Sequence, residues 1–341
     1  MRDGQTHYTA SGGMPELRSQ LALTYSARLG MEWSAAETMV SNGAKQVLWN
    51  ALASVVEPGD EVIVLSPCWT SYPAYVKLLG AVPRMVTAHA DNGFRVRPED
   101  IAAALGPRTR ALLFNSPVNP TGVVYTADQL RALFEPVLRH DCLVLSDEIY
   151  ENLVYDGQHV SPLQVYPQLR ERFVLATGAS KSFAMTGWRM GFALGPAEII
   201  QAMIRMQSHM TGNPNTIAQY ATLEALRLPA EVVETLRQRF MRRRDAGIEV
   251  LSTLPELRFP IPGGAFYFFI DVSPFLGKWE GGRTLQSADE LAEVLLEDHS
   301  LATVPGSAFD DPKGLRLSTT LPEAALRRGL ETLVQALRDR C

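Results

Sequence analysis

Cysteine is scarce in this chain: Cys68, Cys142 and Cys341 are the only three in 341 residues, and they stand too far apart for a zinc knuckle or a disulfide framework. That usage excludes a disulfide-stapled scaffold and fits a reducing cytoplasm. Charge of one sign is also lacking. Thirty-two basic side chains against 37 acidic ones leave a net charge of -5, so there is no cationic surplus for a polyanion and nucleic acid is not an expected partner. No apolar run approaches the roughly 20 residues of a membrane-spanning helix, and the opening MRDGQTHYTASGG has neither the basic start nor the apolar core of a signal peptide. A soluble protein without membrane partners is expected. Neither a P-loop nor a G-x-G-x-x-G turn is present, which removes the usual ATP and dinucleotide signals. The six histidines show no metal-ligand spacing, so no metal is expected. Internal repeats and low-complexity segments are absent.

What is present is enough apolar material, 46% of residues, for a sizeable core. From Glu61 to Leu194 the β-rich runs EVIVL, RMVTA, ALLFN, CLVLSD, FVLATG and MGFAL alternate with the helical stretches SYPAYVKLLG, PEDIAAAL and TADQLRALFEPVLRH. Apolar strands separated by amphipathic helices predict an α/β fold with a mostly parallel sheet sandwiched by helices, and functional loops at strand ends. After Gly195 the texture becomes helical, with AEIIQAMIRMQSHM, TIAQYATLEALRL and a long charged run from Pro229 to Leu254. The rest alternates again: AFYFFIDV, LATVP and GLRLS read as strands, SADELAEVLLEDH and PEAALRRGLETLVQALRDR as helices. The division expected is a large domain over residues 1–228, then an interdomain helix and a smaller α/β domain over 229–341. The triplet Arg242 to Arg244 reads as a solvated helix face.

Four polar segments fall at predicted strand ends, where open α/β sheets bind ligands: Ser41-Asn42-Gly43-Ala44-Lys45-Gln46, Asn119-Pro120-Thr121-Gly122, Ser146-Asp147-Glu148-Ile149-Tyr150, and Ser180-Lys181-Ser182 running on to Thr186-Gly187-Trp188-Arg189. Asp147 closes an apolar strand, where a carboxylate is costly unless paired or used as a helix N-cap. Arg316 lies within the apolar strand GLRLS, where a guanidinium needs either a structural ion pair or a bound anion. Lys181, in a loop after a strand, has a cationic neighbour in Arg189, which together with burial would lower its pKa as an amine nucleophile requires. Gly43-Ala44-Lys45 opens a predicted helix whose free N–H groups favour an anion.

With YTASGGMPELR, EPGDEVIVLSPCWTSYP, NTIAQYATLEAL, GGAFYFF and GLRLSTT in the same order, these segments resemble the class I aminotransferases of pyridoxal-phosphate fold type I, nearest to their bacterial and archaeal aspartate aminotransferase branch. The resemblance covers the chain almost end to end. It implies pyridoxal 5′-phosphate as cofactor, held as an imine on Lys181, with Asp147 paired to the protonated ring nitrogen and Tyr150 and Asn119 donating to the ring's phenolic oxygen. It further implies a phosphate cradle from Gly43, Ala44, Lys45, Ser180 and Arg189, with Tyr8 reaching the phosphate in the partner subunit of a homodimer that shares its active sites. Trp69 would stack on the ring, Arg316 and Asn119 would take the substrate α-carboxylate, and Lys45 would approach the distal carboxylate of an acidic substrate. The bland alternatives are ordinary: core packing for Trp69 and Tyr150, a turn for Asn119, a solvated side chain for Lys45 or Lys181.

The implied reaction is amino transfer between an amino acid such as aspartate and a 2-oxo acid such as 2-oxoglutarate. A carbon–sulfur lyase, or a noncatalytic binder of cofactor or amino acid, is the alternative. Only seven residues precede Tyr8, where relatives carry a longer segment, so the N-terminal part of the small domain is expected to be missing.

Overall fold

The computed structural model describes residues 4–279 and 282–340; Cys341 lies outside them. Seven strands form the main sheet: β1 (Thr38–Ser41), β2 (Glu61–Ser66), β3 (Val82–Thr87), β4 (Thr109–Asn115), β5 (Leu143–Asp147), β6 (Phe173–Gly178) and β7 (Gly191–Leu194). Their order is β1-β7-β6-β5-β4-β2-β3. The pairs among β2 to β6 are parallel, while β7 runs antiparallel to both β6 and β1. β4, β5 and β6 are almost wholly buried, as expected for strands covered on both faces. One apolar cluster, with Leu17, Leu21, Phe114, Phe134 and Phe192, fills one side of the sheet, and another, with Val47, Leu48, Val64 and Met203, fills the other.

The helices that cover it are α1 (Pro15–Leu29), α2 (Ala44–Ala53), α3 (Ser71–Leu78), α4 (Pro98–Ala104), α5 (Ala127–Leu138), α6 (Pro162–Val165), α7 (Ala179–Ser182), α8 (Ala197–Met210) and α9 (Thr216–Leu226). Their ends are written in the sequence. Pro15 starts α1, whose missing N–H costs nothing there, and Gly30 ends it in the left-handed conformation. Thr126 and Gln129 close a reciprocal capping box on α5.

The 22-residue α10 (Ala230–Leu251) leads into a third apolar cluster that includes Leu251, Phe268, Ile270, Leu295, Leu315 and Leu333. Here β8 (Tyr267–Asp271) pairs antiparallel with β12 (Gly314–Ser318), which pairs with β11 (Val304–Pro305); β9 (Gly277–Lys278) and β10 (Thr284–Leu285) form a separate ribbon. α11 (Ala288–His299) and α12 (Glu323–Arg338) pack beside them. None of the described helices is long and apolar enough to cross a membrane.

Three details depart from the sequence reading. The run LATVP is a strand only at its last two residues. β1, four buried residues, and the two-residue β9 and β10 are additional. Arg244 is not solvated: it is buried against the Tyr155 ring, donates to the Pro262 carbonyl and pairs with Asp156 and Asp245. Three consecutive helical residues sweep about 200° around the axis, so a charged triplet on a half-buried helix must send one member inward.

Candidate active site

The sheet order reverses between β2 and β4, and a cavity of about 300 Å³ opens there, at the carboxyl ends of the strands. It collects Ala44, Lys45, Trp69, Asn119, Asp147, Tyr150, Ser180, Lys181, Arg189 and Arg316, residues that the chain spreads over 270 positions. Two of the residues expected at the site lie outside this lining. Gly43 sits immediately behind Arg189, and Tyr8 is 97% exposed, away from the cavity of its own chain.

Asp147 ends β5 on the cavity floor and is buried. Its Oδ2 accepts from the Tyr72 hydroxyl at 2.7 Å and its Oδ1 from the Ile149 N–H at 3.2 Å. Desolvation raises its pKa from the usual 3.8 to about 6, against the pull of both donors. No cation among the described residues lies within ion-pair distance of it. The residues that follow form turns rather than a helix, so the N-cap alternative does not hold. Asn115, at the end of β4, donates to the Asp147 carbonyl and accepts from the Asn119 N–H, which locks the two strand-end loops together.

Lys181 lies in the single turn of α7 that follows β6, and its Nζ stands 5.1 Å from the centre of the Phe266 ring. Burial, then the positive charge of Arg189, lower its pKa below the ordinary lysine value. Arg189 itself has a left-handed backbone, φ 56°, uncommon for a non-glycine residue and stored at functional sites more than elsewhere. Its guanidinium lies against Gly43: a Cβ added there would come within 2.2 Å of Nη2, and Gly43 has φ 88° besides. A Cβ on Gly191 would likewise meet the Gly43 backbone at 2.2 Å. Two glycines thus let the N-terminus of α2, with its unsatisfied N–H groups, close on Arg189 to form one anion-attracting corner.

Arg316, also in the cavity lining, donates to Asn119 Oδ1 at 3.0 Å and lies over the rings of Tyr267 (4.6 Å) and Phe309 (4.7 Å). Among the described residues it has no carboxylate partner, so the structural ion pair is absent. Lys45 Nζ is 4.8 Å from the centre of the Trp69 ring, and Trp69 meets Tyr72 edge to face. Tyr150 is buried and shares a 3.0 Å hydrogen bond with the Tyr267 hydroxyl. The sequence alone does not assign Tyr72, Asn115, Thr186 and Tyr267, nor the apolar Leu48 and Ile149, to the cavity. Only the buried aromatic positions in SPCWTSYP and GGAFYFF marked the two tyrosines, and an aromatic there reads equally well as core.

Residues 2–333 match the family model described as aminotransferase class I and II. The chain is 42% identical, over 327 residues, to the aspartate/prephenate aminotransferase of Cereibacter sphaeroides, spanning 95% of this chain and 82% of that protein. To the aspartate aminotransferase of Geobacillus stearothermophilus it is 42% identical over 334 residues, 98% of this chain and 84% of the relative. Among solved structures, the aspartate aminotransferase from Rhizobium meliloti superposes with a TM-score of 0.96 at 39% identity, over all of this chain and 86% of that one.

Proposed function

The chain belongs to the class I and II aminotransferases, enzymes dependent on pyridoxal 5′-phosphate, and from that premise we propose that it moves the amino group of an acidic amino acid, aspartate first, to a 2-oxo acid such as 2-oxoglutarate, with Lys181 as the cofactor's covalent anchor. The observation that carries this is the buried Asp147 carboxylate, without a cation of its own among the described residues, facing the same cavity as the half-buried amine of Lys181. A protonated pyridine nitrogen is the partner that such a carboxylate lacks.

The rest of the donor set fits the same group. The corner made by Gly43, Ala44, the Lys45 backbone and Arg189, with Ser180 beside it, suits a phosphate. Trp69 offers a ring face, and Tyr150 and Asn119 offer donors to the phenolic oxygen. When bound, the cofactor supplies an electron sink for charge developing at the substrate α-carbon. The protein's residues do the remainder. Arg316, fixed between two rings and Asn119, orients the α-carboxylate. Lys181, with its pKa lowered, takes the α-proton as general base and later returns it. Asp147 holds a proton on the ring nitrogen.

Lys45 faces the same cavity and is our choice for the distal carboxylate. Tyr8, exposed in the single chain, would serve the phosphate of a second copy in a homodimer with shared sites. We assign the large cofactor-binding part to residues 1–228 and the small part to 229–341, and read the buried thiols of Cys68 and Cys142 as those of a cytoplasmic protein.

Substrate choice is tested at Lys45. Lys45→Ser should lower kcat/KM for aspartate and glutamate by about tenfold or more, as the loss of one charge-assisted contact does, and leave uncharged amino acids within about twofold. A uniform loss across substrates would remove Lys45 from the specificity role. Release of pyruvate and ammonia, in place of a transferred amino group, would make the protein a lyase.

A further inference from the structure

Tyr267 is held in place from both ends of the site. On β8 it pairs with Ser318, two residues beyond Arg316 on β12, so its side chain and the guanidinium are diagonal neighbours on one face of the small sheet. Just before it, the chain is stitched to the segment that carries Tyr150: the Ala265 N–H donates to the Leu153 carbonyl, the Tyr155 hydroxyl donates to the Ala265 carbonyl, and Val154 bridges Gly264. Ala265 adopts φ 57° to make that join. The 3.0 Å contact between the two tyrosine hydroxyls is therefore set by backbone on both sides. Among the described residues Tyr150 is the only hydrogen-bond partner of the Tyr267 hydroxyl.

We propose that Tyr267 is a positioning residue with two separable tasks: its hydroxyl donates to Tyr150 Oη, and its ring is the platform that holds Arg316 for the substrate carboxylate. The first task rests on the reading above, in which Tyr150 faces the cofactor's phenolic oxygen. A phenol has one proton, so a Tyr150 that gives its proton to the cofactor must accept from its other neighbour, and Tyr267 is in place to give. A donor received at its oxygen makes Tyr150 the stronger donor in turn. The second task uses the opposite part of the side chain, the ring face 4.6 Å beneath the guanidinium.

Three variants, Tyr267→Phe, Tyr267→Leu and Tyr150→Phe, separate these tasks. In cofactor-free protein carrying 13Cζ-labelled tyrosine, the Tyr150 resonance, identified by its loss in Tyr150→Phe, should move in Tyr267→Phe. If it does not move, the hydroxyl contact is absent and the proposal falls, whether or not the protein takes up cofactor. With pyridoxal phosphate bound, the pH midpoint of the visible band should rise by about half a unit in Tyr267→Phe. It should not rise further when that change is added to Tyr150→Phe. Equal shifts in both backgrounds would mean that Tyr267 acts by general disturbance. Lys181, Asp147, Tyr72, Arg189, Lys45 and Arg316 face the same cavity and are unaltered throughout. Succinate, an unreactive dicarboxylate, should bind Tyr267→Phe within about twofold of the parent and Tyr267→Leu about tenfold more weakly. Unchanged binding in the leucine variant would remove the platform role. A protein that never takes up cofactor would sink the preceding function reading, and the NMR result would still decide the hydroxyl contact.

Discussion

Replacing Lys181 with Ala should lower the transamination rate by roughly four orders of magnitude or more, because one amine both anchors the cofactor and shuttles the α-proton. Binding should survive in part. Asp147, Arg189 and the N-terminus of α2 are untouched by the change, and the Lys181 side chain is half-buried rather than part of either apolar cluster on the sheet. The variant should fold, take up pyridoxal phosphate without covalent attachment, and show no added cofactor mass after reduction with borohydride, whereas the parent should gain it. An external amine such as methylamine should restore some of the proton transfer. Near-normal turnover, or covalent cofactor in the variant, would mean that another lysine does this work, and among the described residues Lys45 is the only other lysine lining the cavity.

Asp147→Asn should move activity and stability in opposite directions. The activity term follows from charge: a neutral amide cannot keep a proton on the ring nitrogen, and the loss of one preorganised electrostatic partner at the reacting ring costs about three orders of magnitude in kcat/KM. The stability term follows from desolvation. In the cofactor-free fold the Asp147 pKa is raised from 3.8 to about 6, so between those values the folded chain binds more protons than the unfolded one. Stability contributed by this group is therefore lost as pH rises from about 4 to about 6. The shift corresponds to roughly 3 kcal/mol at neutral pH. Cofactor-free Asp147→Asn should then resist urea better than the parent at pH 7, with the gap closing toward pH 4. A variant that is less stable than the parent at pH 7 would show that Asp147 is satisfied without a cation, and would weaken the case for a pyridinium partner.

The same carboxylate shows what the sequence could reveal. Asp147 was legible because a charged residue at the end of CLVLSD breaks an apolar strand, and such breaks have few structural explanations. Arg316 is legible on similar grounds, a cation within an apolar strand; Lys181, in the loop after a strand, is marked only by the resemblance of the segment around it. Tyr72 and Tyr267 are not legible. A tyrosine in an amphipathic helix or an apolar strand satisfies the hydrophobic pattern with its ring, and nothing in one dimension tells where its hydroxyl points. The strand β1 escaped because four buried residues, Thr38 to Ser41, carry no alternation to read. Arg244 is illegible for a different reason: three consecutive arginines look like one surface feature in the sequence, although helical geometry turns each member to a different side. The centre of the sheet is legible because β4, β5 and β6 are buried on both faces and apolar almost throughout, while the edge strand β3 is mostly exposed.

The most direct test of the account is a visible absorption spectrum of the protein loaded with pyridoxal phosphate, taken before and after aspartate is added without an acceptor. The band of the lysine-bound cofactor should give way to that of its amine form, with one equivalent of oxaloacetate released per site, and 2-oxoglutarate should then restore the original spectrum. A loaded protein whose spectrum aspartate and glutamate leave unchanged would contradict this.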